Sequence, residues 1–417
     1  MQTLIINTYA GSLLLGADAI PGANIIGSYE DCGFGSANTK ANRERFQNLS
    51  PDFKFIDHIK QWPDQDLTNT IVLAHPPCAA FSQQNTSKAK RGVNTDAFQC
   101  TAKVLRYAFS NGAAAVAVES VMGALGGAWD VHEHMAAASG YHVYRVLENS
   151  LLFGVPQFRE RFWAVFVRMG RAEEHFTWKL APRIVTVGAT LDRITTHTPI
   201  DGLAKSVEKF VGRLSYNGPC ICGVNHGFDA EEVRAVGLAH QTGYKRTGFS
   251  ALIQKRFFPE EDYKAVCRVH VSPFTSGQPS VLAEGGYTPV LLGSSLWVYR
   301  NVPVSHEGYR AIMGFPTDYI MPPDKHYGVR TFLSKGVCPP RATWVLDNLR
   351  QHLGLERGSP LTCDGGYVKI CEPGHIVSFR PGRNEILHRL NTMHELGSPE
   401  DDELLTLRDE EAALEED

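Results

Sequence analysis

A cysteine stands behind two prolines in the stretch Leu73-Ala-His-Pro-Pro-Cys78. Each proline fixes φ and neither continues a helix, so the thiol of Cys78 is carried on a rigid turn leaving an apolar strand at 70–74. A thiol delivered at a strand end is placed for nucleophilic attack, although this stretch alone also allows a plain packing cysteine. Glu119, in Val118-Glu-Ser-Val121, closes a second apolar run. Its carboxylate is expected at the same sheet edge as the thiol, as an acid catalyst or as a helix cap. Gln157, Arg159 and Arg161 alternate as the chain enters a third apolar run, and a period of two puts the three side chains on one face.

The elements that must hold these groups alternate in type. Strand-like runs at 3–9, 24–29, 70–74, 115–118 and 162–167 are separated by helical patterns such as 96–110 and 129–139. This rhythm predicts an α/β fold with an open, mostly parallel, Rossmann-like sheet, where ligands bind beyond the carboxyl ends of the strands. After Gly170 the rhythm is lost. The expected organisation is a catalytic and cofactor-binding domain at 1–170, a smaller recognition domain at 171–295 and a return to the catalytic domain at 296–353. A β-rich appendage at 354–398 and an acidic disordered tail at 399–417 follow.

Composition bounds the class. The 417 residues are 43% hydrophobic and 21% charged, an ordinary globular balance. No apolar run reaches the length of a membrane span, and the N-terminus reads as a strand start rather than a signal peptide. The formal net charge of −4 is unevenly spread: the segment from Pro399 on holds ten acidic side chains and one arginine, so the remainder is slightly basic. Nine cysteines without a framework spacing point to reduced thiols in a cytoplasm.

In these residues the chain resembles the cytosine-C5 methyltransferases. Motifs similar to that family's occur in its order: a cofactor loop at the N-terminus, Pro-Pro-Cys at 76–78, a Glu-Asn-Val-like triplet at 119–121 and Gln-x-Arg-x-Arg at 157–161. A Gly-Phe-Pro element at 314–316 and a Gly-Asn-x-Val-Pro-like element at 334–339 complete the series. The resemblance implies an S-adenosylmethionine-dependent methyltransferase sheet, a target-recognition domain, and double-stranded DNA as partner. It also implies a cytosine flipped out of the duplex, no metal, and an enzyme expected to act as a cytoplasmic monomer near nucleoid or viral DNA.

The chemistry so implied needs these residue types. Cytosine C5 becomes nucleophilic only after addition at C6, which the Cys78 thiolate would supply. Glu119, protonated or sharing a proton, would bond N3 and the exocyclic amine, Arg159 the base carbonyl, and Arg161 would hold Glu119 or the backbone. Ser82, Lys88, Arg91 and Gln157 are the implied DNA contacts, with 84–95 as a basic loop closing over the duplex. The implied cofactor contacts are Tyr9, Ala10, Gly11, Glu30, Asp57, Pro77 and Lys335. Glu30 would take ribose hydroxyls and Asp57 the adenine amine.

Three departures from the family pattern stand out, the first being Ser12 and Leu13 in the cofactor loop, where small backbone-approach residues are usual. Ser120 replaces the asparagine of the triplet, and Lys335 replaces the asparagine of the last motif. Two cations about 6 Å apart at an effective dielectric near 20 repel by about 3 kcal/mol. Either Lys335 turns outward to water or phosphate, or the donor carries an anion on the transferred group, as carboxy-S-adenosylmethionine does. The second option predicts 5-carboxymethylcytosine as product. Ordinary methyl transfer, a tRNA substrate and an inactive DNA-binding relative are the competing readings. In 171–295, basic side chains interleave with aromatics, which suits phosphate contacts and base reading. Cys220, Cys222 and His226, with His240 or Cys267, have a spacing atypical of structural zinc.

Overall fold

The run Thr70–Ala74 is buried along its whole length. A strand with no exposed position is satisfied only between two covering layers, and this sets the architecture. The computed structural model describes residues 1–31, 40–81, 95–125, 129–194, 280–281, 287–288, 290–291, 297–299, 302–321, 326–355 and 366–379.

In chain order the first part contains β1 (Gln2–Ile6), α1 (Ser12–Asp18), β2 (Ile25–Tyr29), β3 (Leu49–Ile56), β4 (Thr70–Ala74), α2 (Asp96–Ser110) and β5 (Ala115–Ser120). It continues with α3 (Asp130–Ala138), β6 (Tyr141–Asn149), β7 (Glu160–Arg168), β8 (Phe176–Leu180) and α4 (Val187–Leu191). The return contains β9 (Ser280–Val281), β10 (Trp297–Tyr299), β11 (Val302–Pro303), α5 (His306–Ile312), α6 (His326–Lys335), α7 (Pro339–His352), β12 (Tyr367–Cys371) and β13 (Ile376–Phe379).

Eight strands form one sheet in the order β13-β6-β7-β5-β4-β1-β2-β3. Only β7 runs against its neighbours. The chain moves outward from β1 through β2 and β3, then returns to β4 on the other side of β1. That reversal opens the crevice where α/β sheets bind ligands, beyond the carboxyl ends of β1 and β4. Alternate residues feed opposite layers. Ile5, Leu73, Ala117 and Val165 enter one hydrophobic cluster, and Leu4, Val72, Val118 and Phe166 enter the other.

Local sequence explains the helices. In α2 the Thr95 hydroxyl accepts from the Phe98 N–H, and apolar residues from Phe98 to Phe109 turn one stripe inward. α7 opens on Pro339 and Pro340, whose missing N–H groups cost nothing in the first turn. Gly16 lets α1 and α7 touch, because a Cβ there would stand 2.5 Å from the Ala342 Cβ.

The strands and helices expected from the sequence are present, with shifts at their ends. β1 stops at Ile6 because Asn7 and Tyr9 adopt left-handed backbone, at φ 53° each. β3 was not expected, since Pro51 lies within it; proline is tolerated there because β3 is an edge strand. The segments at 176–180 and 367–379 are tied to the main sheet and to α7. β8 pairs with β12, the Trp344 indole of α7 donates to the Lys179 carbonyl at 2.7 Å, and β13 extends the main sheet. Both segments belong to one compact unit, Met1–Phe379. The tail at 399–417 and most of 171–295 lie outside the described residues. Among the described residues, no helix is long and apolar enough to cross a membrane.

Candidate active site

Parallel strands end at one edge, so the turns after β1, β2, β4 and β5 converge there. They carry Asn7–Gly11, Glu30, His75 to Cys78, and Glu119 with Ser120. Because β7 is antiparallel it begins at the same edge, and its register sets Trp163 against Glu119 and Arg161 against Glu148 of β6. The expected meeting of Glu119 and Arg161 with Cys78 therefore follows from strand direction.

Glu119 is the centre of a buried charge cluster. His75 Nε2 lies 3.2 Å from its Oε2, while Arg161 Nε and Arg341 Nη2 lie 3.4 and 3.5 Å from its Oε1. Arg341 also pairs with Glu148, and the side chains of Arg341, Glu119 and Glu148 are all fully buried. Burial pushes the Glu119 carboxyl up, but His75, then Arg341 and Arg161, outweigh it and hold the group far below the usual carboxylate range. The surrounding cations favour the ionised carboxylate, and the neighbouring imidazole is driven the opposite way. Burial works against charge on His75, yet Glu119 and Cys78 carry it up to about 9. Burial also raises the Cys78 thiol, and His75 more than reverses this, leaving it below its ordinary value. Cys78 is half-buried, whereas Cys100, Cys338 and Cys371 are buried. Glu148 is raised to about 7 by burial, against the pull of Arg341.

Arg159, expected on a base carbonyl, reaches the backbone at the end of α6. Its Nη1 donates to the Ser334 carbonyl at 3.1 Å and its Nη2 to the Gly336 carbonyl at 2.8 Å. Those carbonyls flank Lys335. Gln157, expected at DNA, has no exposed surface; its amide nitrogen faces the Met313 sulfur at 3.5 Å, and the residue bridges to Thr288. Ser82, Lys88 and Arg91 lie outside the described residues, as do Cys220, Cys222, His226, His240 and Cys267. Among the described residues, no His, Cys, Asp and Glu group could hold a metal ion.

The cofactor side is built around strained backbone. Asn7, Tyr9 and Gly11 all have positive φ, a conformation that only glycine adopts without cost and that persists where the surroundings enforce it. The surroundings here are the segments on either side of α6. The Tyr319 hydroxyl donates to the Ala10 carbonyl at 2.6 Å, and the Val337 N–H donates to Ser12 Oγ at 3.2 Å. Ser12, large for a backbone-approach position, is therefore a tie to the last motif. Lys335 Nζ lies 5.8 Å from the centre of the Tyr9 ring, which also packs on Phe332. Glu30 is buried and accepts from the Thr8 and Tyr9 N–H groups, while its Oε1 has no hydrogen-bond partner among the described residues. A buried carboxyl oxygen left over at the end of β2 fits a ribose hydroxyl. Asp57 pairs with Lys40 at 2.7 Å. Pro77 occupies the turn between the thiol and β4.

Sequence reading missed His75, Glu148 and Arg341. An arginine among the apolar positions of α7 was the signal for Arg341, since a cation on a buried stripe needs a buried anion. His75 gave less: only its position three residues before the thiol.

A mostly parallel sheet with β7 reversed, a thiol after β4 and a carboxylate at the end of β5 defines a group-transfer enzyme of the methyltransferase architecture. The chain belongs to the C-5 cytosine-specific DNA methylase family, whose sequence signature matches residues 22–351. Among solved structures, a prophage-encoded protein from E. coli assigned as a DNA modification methyltransferase matches with TM-score 0.53 and 14% identity, over 85% of this chain and 99% of that one. The Entamoeba histolytica methyltransferase EhMeth matches with TM-score 0.48 and 11% identity, over 85% and 98%. Spodoptera frugiperda DNMT2 matches with TM-score 0.46 and 13% identity, over 84% and 99%. No curated protein sequence matches significantly.

Proposed function

We propose that this enzyme alkylates C5 of a flipped cytosine in duplex DNA through a Cys78–C6 adduct, and that its preferred donor is carboxy-S-adenosylmethionine, giving 5-carboxymethylcytosine. The observation that carries the donor reading is the position of Lys335, with its ammonium against Tyr9 and its peptide held on both sides by Arg159. A sulfonium donor supplies an electrophilic carbon. A lysine ammonium near it is repelled by about 3 kcal/mol at roughly 6 Å and an effective dielectric near 20, unless the transferred group carries an anion that pairs with it.

The residues divide the work. Cys78 adds to C6 as thiolate, a form that His75 favours. The His75–Glu119 pair bonds the cytosine N3 edge, with Arg161 and Arg341 fixing the carboxylate. The Asn7–Gly11 backbone and the spare oxygen of Glu30 hold the donor, and Lys335 selects it. Asp57 would accept the adenine amine by exchanging Lys40.

A second reading has its own support. Lys335 is exposed, so its ammonium can remain in water and leave room for a plain methyl donor. Nucleoside mass spectrometry of DNA treated with each donor separates the two. Carboxymethyl product from wild type, and a switch toward 5-methylcytosine in Lys335→Asn, is the expected result. Only 5-methylcytosine from wild type with both donors supplied would remove the carboxymethyl reading.

A further inference from the structure

The turn that delivers the nucleophile delivers a second group that the reaction outlined above does not strictly require. The His75 N–H still bonds the Ile6 carbonyl at 3.1 Å, so its backbone belongs to the sheet, while Pro76 and Pro77 fold Cys78 back beside it. The imidazole is buried at 6% exposure, its Nε2 is 3.2 Å from Glu119 Oε2, and its Nδ1 has no hydrogen-bond partner among the described residues. Glu119 from β5 and Glu30 from β2 act on it, with Cys78 on its own turn, while Arg161 from β7 and Arg341 from α7 reach the same Glu119 carboxylate.

We infer that His75 is the proton carrier of this site: it takes the proton of the Cys78 thiol and passes it through the Glu119 carboxyl to N3 of the cytosine. The inference rests on the cysteine-adduct reading above and adds the route of the proton. The S–H bond breaks as an imidazole N–H forms, leaving thiolate. As sulfur bonds C6, the C5=C6 pair shifts to C4–C5 and the C4=N3 pair moves onto N3; the imidazolium gives its proton to Glu119 Oε2, and Glu119 gives one to N3. After C5 is alkylated, its proton is lost to water and the C5–H electron pair closes the C5=C6 bond; the C6–S pair leaves with sulfur as thiolate, and the N3 proton goes back to the pair. One proton is carried in each direction.

Geometry favours this over a structural ion pair. Arg161 and Arg341 already neutralise Glu119, so a third cation is not needed to bury it. A permanently charged side chain at position 75 would serve a structural pair as well. A group able to lose its proton sits instead against the acid, on the turn that carries the nucleophile.

The test is the titration of Cys78 in the full-length protein without DNA or donor, read as the rate of iodoacetamide labelling of the Cys78 peptide against pH. In wild type the midpoint is expected below the ordinary cysteine value of about 8.5. In His75→Gln it is expected to rise by at least about one unit, a tenfold loss of thiolate at neutral pH. His75→Asn serves if the glutamine variant does not fold by circular dichroism. A wild-type midpoint at or above the ordinary value overturns the inference without any variant, and so does an unmoved midpoint in a folded variant. Because no DNA is present, failure here is distinct from failure of the cytosine reading.

Discussion

Arg159 holds the backbone carbonyls on either side of Lys335, Ser334 at 3.1 Å and Gly336 at 2.8 Å. The first residue comes from the entry to β7 and the second from the end of α6, so this arginine joins the base-side strand to the donor-side helix. A charged donor to a carbonyl is worth about 1.5–3 kcal/mol. Arg159→Met is therefore expected to raise the KM for the donor by roughly 10- to 100-fold. Initial rates at varied donor and varied DNA check this: a change confined to the DNA KM would place Arg159 on the base instead.

Arg341 joins Glu119 and Glu148, with all three fully buried. Removing one member of a buried pair leaves uncompensated charge and costs about 3–5 kcal/mol. Arg341→Met is expected to lower unfolding free energy by about that amount in urea denaturation, with an unchanged m-value. A loss under about 1 kcal/mol would mean that the two carboxyls do not depend on it.

The direct approach of α1 to α7 gives a paired prediction. A Cβ on Gly16 would meet the Ala342 Cβ at 2.5 Å and the Pro339 carbonyl at 2.6 Å. Gly16→Ala is expected to cost about 1–3 kcal/mol, and adding Ala342→Gly should recover part of it. The Pro339 carbonyl contact prevents full recovery. Thermal denaturation of the single and double variants measures the coupling.

Much of this site was legible because its signals are local. Pro-Pro-Cys, the strand ending at Glu119 and the alternation of Arg159 and Arg161 each describe a few adjacent residues. Strand direction then brings Cys78, Glu119 and Arg161 together. What escaped depends on long-range pairing. The charge state of Glu119 is set by His75, Arg161 and Arg341, which arrive from three other elements. Gln157 and Arg159 share a face with Arg161 by periodicity, yet whether that face meets DNA or the 334–336 backbone is decided by where the returning helices close. β3 was hidden because its proline counts against a strand everywhere except at an edge.

Stability should depend on pH in a defined way. Glu119 has a folded value below its ordinary 4.5, so its contribution is present above that pH and lost as pH falls. His75 is raised from 6.5 to about 9, so its contribution is full below 6.5 and lost as pH climbs through 9. Burial raises Glu30 from 4.5 to about 8, which opposes folding increasingly across that interval. The Tm is therefore expected to peak between about 4.5 and 6.5 and to decline toward alkaline pH. Glu30→Gln should flatten the decline up to about pH 8 while weakening donor binding. A profile identical to wild type would contradict the buried state of Glu30.

The most direct measurement uses randomised duplex DNA in which 5-fluorocytosine replaces cytosine, incubated with the protein and each sulfonium donor. Fluorine at C5 blocks the final elimination. The account predicts a denaturation-resistant protein–DNA complex whose cross-linked peptide contains Cys78 and which Cys78→Ser does not form. DNA binding without any such complex, or a complex that survives Cys78→Ser, would contradict it.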